Sequence, residues 1–423
     1  MPTAIITGAT GILGRAILQA LSADPTTWPT VHALSHRKPP PDAARAPNIH
    51  HDQIDLLSPP ETLAMQLQGS NVQGEYLFFA AYLQRGDERE MERVNGDMLR
   101  NLLTALAFTG AERHLKRVLL TTGAKHYGVH LGPVKCPMEE GDRWVEGRAW
   151  PPNFYYRQQR ILGEMSARSR EKVGGKGGGG GGWDWVVTYP NDVIGVATGN
   201  FMNLTTALAL YTLITKELSA PFIFPGSRYF YTRFDSFTSA RQHARFSVWA
   251  ALTPACGGQA FNVVDGEPQS WQTLWPRLAR RFGLGVPADQ FGESVRGDTE
   301  QDERVVPLVE RAPLAEYAEE IGIGDAGQVR RGEVRMRIDL LSWASLGEVR
   351  AAWERVAQRE GLRMDAFEQA TWFFLNFVLG RNYDMVISMS KARRFGFLES
   401  VDSWDALNAS LDELVDEGIL PRF

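Results

Sequence analysis

A doubly wound, parallel α/β fold is predicted by three features of this chain. An apolar strand at the start runs into regularly spaced glycines and then into an apolar helix. Strands and helices alternate from there to about residue 200, the pattern of a parallel sheet covered on both faces. Beyond that point the sequence is mostly helical, which predicts a smaller lobe over the carboxyl ends of the strands.

The opening stretch reads Thr3-Ala4-Ile5-Ile6-Thr7-Gly8-Ala9-Thr10-Gly11-Ile12-Leu13-Gly14. Ala4–Thr7 is the strand and Arg15–Leu21 the helix. Gly8 allows the tight turn, Gly11 lets a pyrophosphate approach the backbone, and Gly14 lets helix and strand pack closely. The free N–H groups at the helix start then face the phosphates. Thr7, Gly8, Thr10, Gly11, Ile12 and Gly14 are therefore the expected dinucleotide contacts, and the fold is expected to be of the Rossmann type.

Short runs of β-branched and aromatic residues predict strands at Thr30–Ser35, Tyr76–Ala80, Arg117–Thr121 and Trp185–Tyr189. Apolar residues at helical spacing predict helices at Glu61–Gln68, Asn95–Thr109 and Tyr156–Ser169. Ala260–Val264 is expected to return to the sheet, followed by a helix over Gln269–Phe282. Asn203–Lys216, Leu346–Glu360, Met364–Leu379 and Ser403–Glu417 carry the strongest helical patterns of the second lobe. The predicted division is residues 1–200 for the nucleotide domain and 201–423 for the substrate lobe. The glycine run Gly174–Gly182 has no side chains to pack and reads as a flexible insertion.

Composition excludes several function classes. The net charge of −5 offers no basic footprint for nucleic acid. The two cysteines, Cys136 and Cys256, make neither a disulfide framework nor a metal site. The most apolar stretch, about Leu204 to Ile214, is too short to span a membrane. With the nucleotide strand at the start, no leader segment is expected. These features point to a cytoplasmic protein with a small-molecule partner, no nucleic acid, no membrane and no metal. They are compatible with a homodimer.

The second strand ends Ser35-His36-Arg37-Lys38. A site built for NAD places a carboxylate near this point, about 20 residues past the glycines. Ser35, Arg37 and Lys38 instead suit a 2′-phosphate, which favours NADPH. Asp55 and Leu56, beyond the next strand, are placed to meet an adenine edge, and a plain loop carboxylate fits them equally. The fifth strand leads into Thr121-Thr122-Gly123-Ala124-Lys125-His126-Tyr127 at the end of the sheet where ligands bind. Asn153-Phe154-Tyr155-Tyr156 stands immediately before a helix. A phenol near an amine suits a reductase, because the cation lowers the phenol's pKa. The usual short-chain dehydrogenase lysine lies four positions after the tyrosine, and here Arg160 occupies it. Guanidinium is a poor proton relay, so either the site is inactive or Lys125 supplies the amine.

These motifs resemble the progesterone 5β-reductase and iridoid synthase family, an atypical branch of the extended short-chain dehydrogenases. The resemblance also covers Asn95-Gly96-Asp97-Met98-Leu99, Phe201-Met202-Asn203-Leu204, Trp249-Ala250-Ala251, Ala260-Phe261-Asn262-Val263 and Ser388–Phe397. It implies NADPH, reduction of a C=C bond conjugated to a carbonyl, and Lys125 with Tyr156 as the catalytic pair. Thr122 is then a further cofactor contact. Tyr82, Tyr127, Met202 and Asn203 are expected at the substrate pocket. Tyr82 stands where the family tends to carry Trp. Asn191-Asp192 follows Tyr189-Pro190, where the family usually shows Arg-Pro-Gly-Asn. With Tyr156 facing the cofactor, Tyr155 is expected to pack under the sheet. His126 reads as a structural hydrogen-bonding group and the aromatic run Trp372–Phe377 as core.

The predicted activity is thus 1,4-reduction of an enone or enal. Carbonyl reduction at the same site remains open, as do a cyclase or isomerase that keeps its cofactor bound and a dinucleotide-sensing regulator.

Overall fold

A computed structural model describes residues 1–37, 46–174, 182–292 and 303–422. Lys38 and residues 175–181 of the glycine run lie outside the described residues. The chain builds a seven-stranded parallel sheet from β1 (Thr3–Thr7), β2 (Thr30–Ser35), β3 (Ile49–Gln53), β4 (Tyr76–Phe79), β5 (Arg117–Thr121), β6 (Asp184–Tyr189) and a late strand. A short pair, β7 (Val193–Ile194) with β8 (Thr238–Ser239), precedes that late strand, β9 (Gln259–Asn262). The sheet order is β3-β2-β1-β4-β5-β6-β9. It reverses direction between β1 and β4, where Ala4 pairs with both Val31 and Tyr76. That reversal opens a crevice at the carboxyl ends of the central strands.

The strand sequences explain their central position. Ala4, Ile5, Ile6, Leu77, Phe78, Val118, Leu119, Leu120, Val186 and Val187 are buried. Strands apolar on both faces require helices on both faces. On one side α1 (Ile12–Ser22) packs with a helix from later in the chain. On the other, α3 (Glu88–Thr109) lies between α2 (Pro60–Gly69) and α4 (Phe154–Gly174).

The second core is built around α5 (Leu204–Glu217) and α8 (Trp271–Arg281). There the Phe222 and Trp275 rings stack at 4.3 Å. Between these helices come the short α6 (Arg228–Tyr231) and α7 (Ala240–Leu252). An antiparallel pair follows, β10 (Arg304–Pro307) with β11 (Glu333–Met336). The chain ends through α9 (Leu340–Ser345), α10 (Gly347–Glu360), α11 (Trp372–Gly380), α12 (Ser390–Arg394) and α13 (Ser403–Asp416).

Several predicted boundaries change. The helix expected from Asn95 begins at Glu88, where the Asp87 carboxylate accepts the Glu90 N–H at 2.9 Å. The helix expected over Met364–Leu379 is a single 3₁₀ turn at Met364–Ala366 followed by α11. The partner of α1 is α7, which the sequence reading did not identify. It belongs to the sheet's core, so the two cores interleave along the chain rather than dividing at residue 200.

Candidate functional site

The glycine loop has the contacts its sequence requires. A methyl group on Gly14 would lie 2.1 Å from the Gly8 carbonyl oxygen. One on Gly8, whose φ is +66°, would lie 2.5 Å from the Ala80 carbonyl oxygen. These two glycines set the approach of α1 to β1 and of the loop to β4. Gly11 differs: its nearest neighbours would be the Gly8 carbonyl and the Asn200 amide oxygen, at 3.3 and 3.4 Å. Gly11 is the N-cap of α1, which has no side-chain cap and no acidic residue in its first turn. Such an end fits an anionic pyrophosphate, because amide groups and helix dipole both favour negative charge.

Arg37 sits beyond the end of β2. Its guanidinium donates to the Thr198 carbonyl at 3.0 Å. A methyl on Gly199 would meet the same guanidinium at 2.4 Å, so Gly199, at φ +62°, lets the cation lie against the 198–200 segment. Ser35 is buried and donates to the Arg37 carbonyl at 2.6 Å. Asp55 is exposed and caps its own turn through the Leu57 N–H, while Leu56 is buried. Thr7 is buried, and Thr122 donates to the Thr188 carbonyl at 2.9 Å.

From Gly11 and Ile12 a cleft of about 430 Å³ opens along the carboxyl ends of β4, β5 and β6. Thr122, Lys125 and Tyr155 line one side, with Tyr82, Glu88 and Met91. Asn153 joins the two halves of this wall. Its amide donates to the Lys125 carbonyl at 2.9 Å, and its side-chain oxygen accepts the Tyr155 N–H at 3.1 Å. A methyl on Gly123 would stand 3.1 Å from the Tyr155 hydroxyl, so the glycine leaves room for the phenol.

Lys125 is largely buried, and its ammonium donates to both Glu88 carboxylate oxygens at 2.8 and 2.7 Å. It also lies 5.5 Å from the centre of the Phe154 ring. Burial pulls its pKa down and Glu88 opposes that pull, with a net lowering. Burial raises the pKa of the Tyr155 phenol.

Tyr156 is not in the cleft. Its hydroxyl donates to the His126 carbonyl at 2.5 Å and accepts the Val145 N–H at 2.8 Å. Its ring stacks on Trp144 at 4.5 Å. Successive helical residues point about 100° apart, so only one of the two tyrosines can face the cleft, and these contacts hold Tyr156 on the other side. The expectation that Tyr156 faces the cofactor while Tyr155 packs away is thus reversed in placement. His126 stacks on Tyr189 at 4.2 Å and contacts Gln159. Burial lowers its pKa to about 3, so it is neutral.

Two further pocket expectations change. Tyr127 is buried, and its hydroxyl donates to Asn262 at 2.6 Å. Asn203 is the N-cap of α5: its side-chain oxygen accepts the Thr206 N–H, and its amide donates to the Ala197 carbonyl at 2.8 Å. Tyr82 and Met202 do line the cleft.

The sequence reading missed the opposite wall. It is aromatic, formed by Phe201 with Phe373, Phe374 and Phe377 of α11. Below it lies a buried charged cluster. Arg381 makes two bonds to Asp192, at 2.5 and 2.9 Å, and a longer one to Asp235 at 3.5 Å. Burial and the neighbouring Asp192 raise the pKa of Asp235. Asp192 has φ +33°, a backbone angle uncommon outside glycine, and Arg381 grips its side chain in that conformation. Phe374 and Phe377 carry a signal in their helical spacing, but that spacing fits a core helix as well as a cleft wall.

Among the described residues no cluster of His, Cys, Asp and Glu could hold a metal ion, and no helix is long and apolar enough to cross a membrane. A family model described as the PRISE-like Rossmann-fold domain matches residues 4–299. An uncharacterized protein of Schizosaccharomyces pombe, C757.02c, is 38% identical over 422 residues, which cover 99% of this chain and 98% of the relative. The (S)-8-oxocitronellyl enol synthase CYC2 of Camptotheca acuminata is 28% identical, and the 3-oxo-Delta(4,5)-steroid 5-beta-reductase of Arabidopsis thaliana 26%. Each alignment covers 99% of this chain and 93% of the relative. With the family model spanning well over half of the chain and relatives aligned nearly end to end, this glycine-looped protein belongs to the PRISE family, the progesterone 5β-reductase and iridoid synthase-like oxidoreductases of the extended short-chain dehydrogenase type.

Proposed function

We propose that this chain is an NADPH-dependent reductase of a C=C bond conjugated to a carbonyl, with Tyr155 and Lys125 as its catalytic pair. One observation carries the reading: Tyr155 and Lys125 line the same cleft as Gly11 and Ile12 of the glycine loop. The glycine loop would hold a dinucleotide's phosphates, and Lys125 and Tyr155 would then stand at the end of the cleft where a nicotinamide would react. The uncapped start of α1 would hold the pyrophosphate, and Arg37 would hold the 2′-phosphate. The names of the plant relatives, a steroid reductase and an enol synthase, support an enone or enal substrate.

When bound, the reduced cofactor supplies a hydride to the alkene β-carbon. Negative charge then collects on the carbonyl oxygen, where the Tyr155 hydroxyl donates a hydrogen bond. This is stabilisation of the oxyanion type. Lys125 supplies positive charge to the same end of the cleft. The aromatic wall shields the substrate's apolar body, and a proton from solvent at the open end of the cleft completes the α-carbon.

The test is NADPH oxidation over a panel of enones, enals and ketones, with product identification. Saturated carbonyl products are expected. Allylic alcohols would replace this reading with carbonyl reduction. Tight NADP binding without NADPH consumption would favour a cyclase or isomerase that keeps its cofactor bound.

A further inference from the structure

We propose that Glu88 is the positioning residue of this site, gripping the Lys125 ammonium at a fixed place in the cleft. The inference rests on the reductase reading above for its effect on turnover, but its physical basis is independent of the reaction. A lysine side chain is a flexible stem with a point charge, and it holds one position only if something grips it. Glu88 does so with both oxygens, at 2.8 and 2.7 Å, from the same wall of the cleft. The carboxylate is itself well placed. It lies in the first turn of the 22-residue α3, where the helix dipole favours a negative charge.

The surroundings show why a counter-charge is needed here. The Lys125 side chain is 19% exposed and lies near the Phe154 ring. His130 lies on the same cleft wall and interacts electrostatically with Lys125. Burial and that nearby cation both lower its pKa, so it is neutral. The phenols of Tyr82 and Tyr155, also on the wall, are held protonated by burial. Among these neighbours the charge that balances Lys125 is Glu88. Burial favours the neutral amine, and Glu88 opposes it. Without Glu88 the amine would lose its proton at lower pH and its fixed place in the cleft.

The experiment compares wild type, Glu88→Gln and Glu88→Asp with two readouts. The first is the pH dependence of Lys125 acetylation by acetic anhydride, located by mass spectrometry, which needs no substrate. The second is the pH profile of kcat/KM for NADPH-dependent enone reduction. Glu88 is partly exposed, and the amide is isosteric, so circular dichroism should report an intact fold. Glu88→Gln should move the acetylation midpoint down by about one pH unit. It should also lower kcat/KM about tenfold, a part of what an acid–base group contributes, and move the alkaline limb down with the midpoint. Glu88→Asp, which keeps the charge, should recover most of both. An acetylation midpoint that does not move in Glu88→Gln overturns the proposal. A midpoint that moves while turnover is unchanged supports the grip on Lys125 and overturns the lysine's place in the reaction.

Discussion

The Tyr156 hydroxyl donates to the carbonyl oxygen of His126, the residue next to Lys125. Tyr156 therefore braces the backbone that carries the lysine, while its neighbour Tyr155 faces the cleft. The two phenols should behave differently when removed. Tyr155→Phe should lower turnover about a hundredfold or more, the usual cost of losing an oxyanion donor, and leave NADPH affinity and stability near wild type. Tyr156→Phe leaves the buried Val145 N–H and His126 carbonyl without their partner. It should cost about 1–3 kcal/mol of stability and reduce turnover less. Steady-state kinetics with urea unfolding of both variants is the check. A fully active Tyr155→Phe would return the catalytic role to Tyr156.

The glycine loop separates packing from binding. Gly14→Ala places a methyl 2.1 Å from a backbone oxygen that cannot step aside. It should destabilise the protein by on the order of 3 kcal/mol, as overpacking does. Gly11→Ala meets neighbours at 3.3 and 3.4 Å, and its φ of −81° suits any residue. Its stability should change by less than about 1 kcal/mol, while the added methyl blocks the pyrophosphate's approach. Thermal unfolding and NADPH titration of the two variants measure these effects. A stable, NADPH-binding Gly14→Ala would remove the packing argument.

The sheet was legible in the sequence because its strands announce themselves locally. Ile5-Ile6, Leu77-Phe78 and Val118-Leu119-Leu120 are unbroken apolar runs between turn formers. The helix α7 was not, because it buries polar residues. Gln242 and His243 are fully buried, Gln242 donating to the Glu399 carbonyl and the His243 Nε2 pairing with Thr188, so the helix has no simple apolar stripe. At the site, the Lys125 and Asn153 motifs were readable, but the phase of the helix after Asn153 was not. One residue of rotation decides between Tyr155 and Tyr156, and Trp144, Val145 and His126 decide it through packing. Asn203 was misread for the opposite reason. It stands immediately before an apolar helix, and its job is local: capping. The aromatic wall and the Arg381–Asp192 pair depend on contacts between residues far apart in the chain, which no local pattern reveals.

Cofactor choice should follow Arg37. The second strand ends without a carboxylate, and the Arg37 guanidinium lies beyond it against Thr198. NADPH should bind more tightly than NADH, with the charged contact contributing about 1.5–3 kcal/mol. Arg37→Ala should weaken NADPH by that amount and leave NADH nearly unchanged. Fluorescence titration of both cofactors against both proteins decides this. Equal affinities in the wild type would sink the assignment of the 2′-phosphate to this turn.

Asp265 should give the fold a measurable pH dependence. Its carboxylate joins two elements: it accepts the Ser239 N–H at the start of α7 and the Ser403 hydroxyl, at 2.8 Å, at the start of α13. Burial pushes its pKa up to about 6, outweighing those hydrogen bonds. In the unfolded chain an aspartate loses its proton near about 4. Between these two values the folded state holds the proton and the unfolded state does not, so this group's stabilisation falls as pH rises. The contribution is fully present below about 4 and lost above about 6, a change on the order of 3 kcal/mol. Asp265→Asn keeps an acceptor for Ser239 and carries no charge, so it should remove this slope. Urea unfolding of wild type and variant at intervals from pH 4 to 7 tests the difference between the two curves, which cancels the titration of other groups. The variant should gain on the wild type as pH rises through that window. Parallel curves would mean that the Asp265 carboxyl keeps its ordinary pKa in the fold and that burial does not govern its charge.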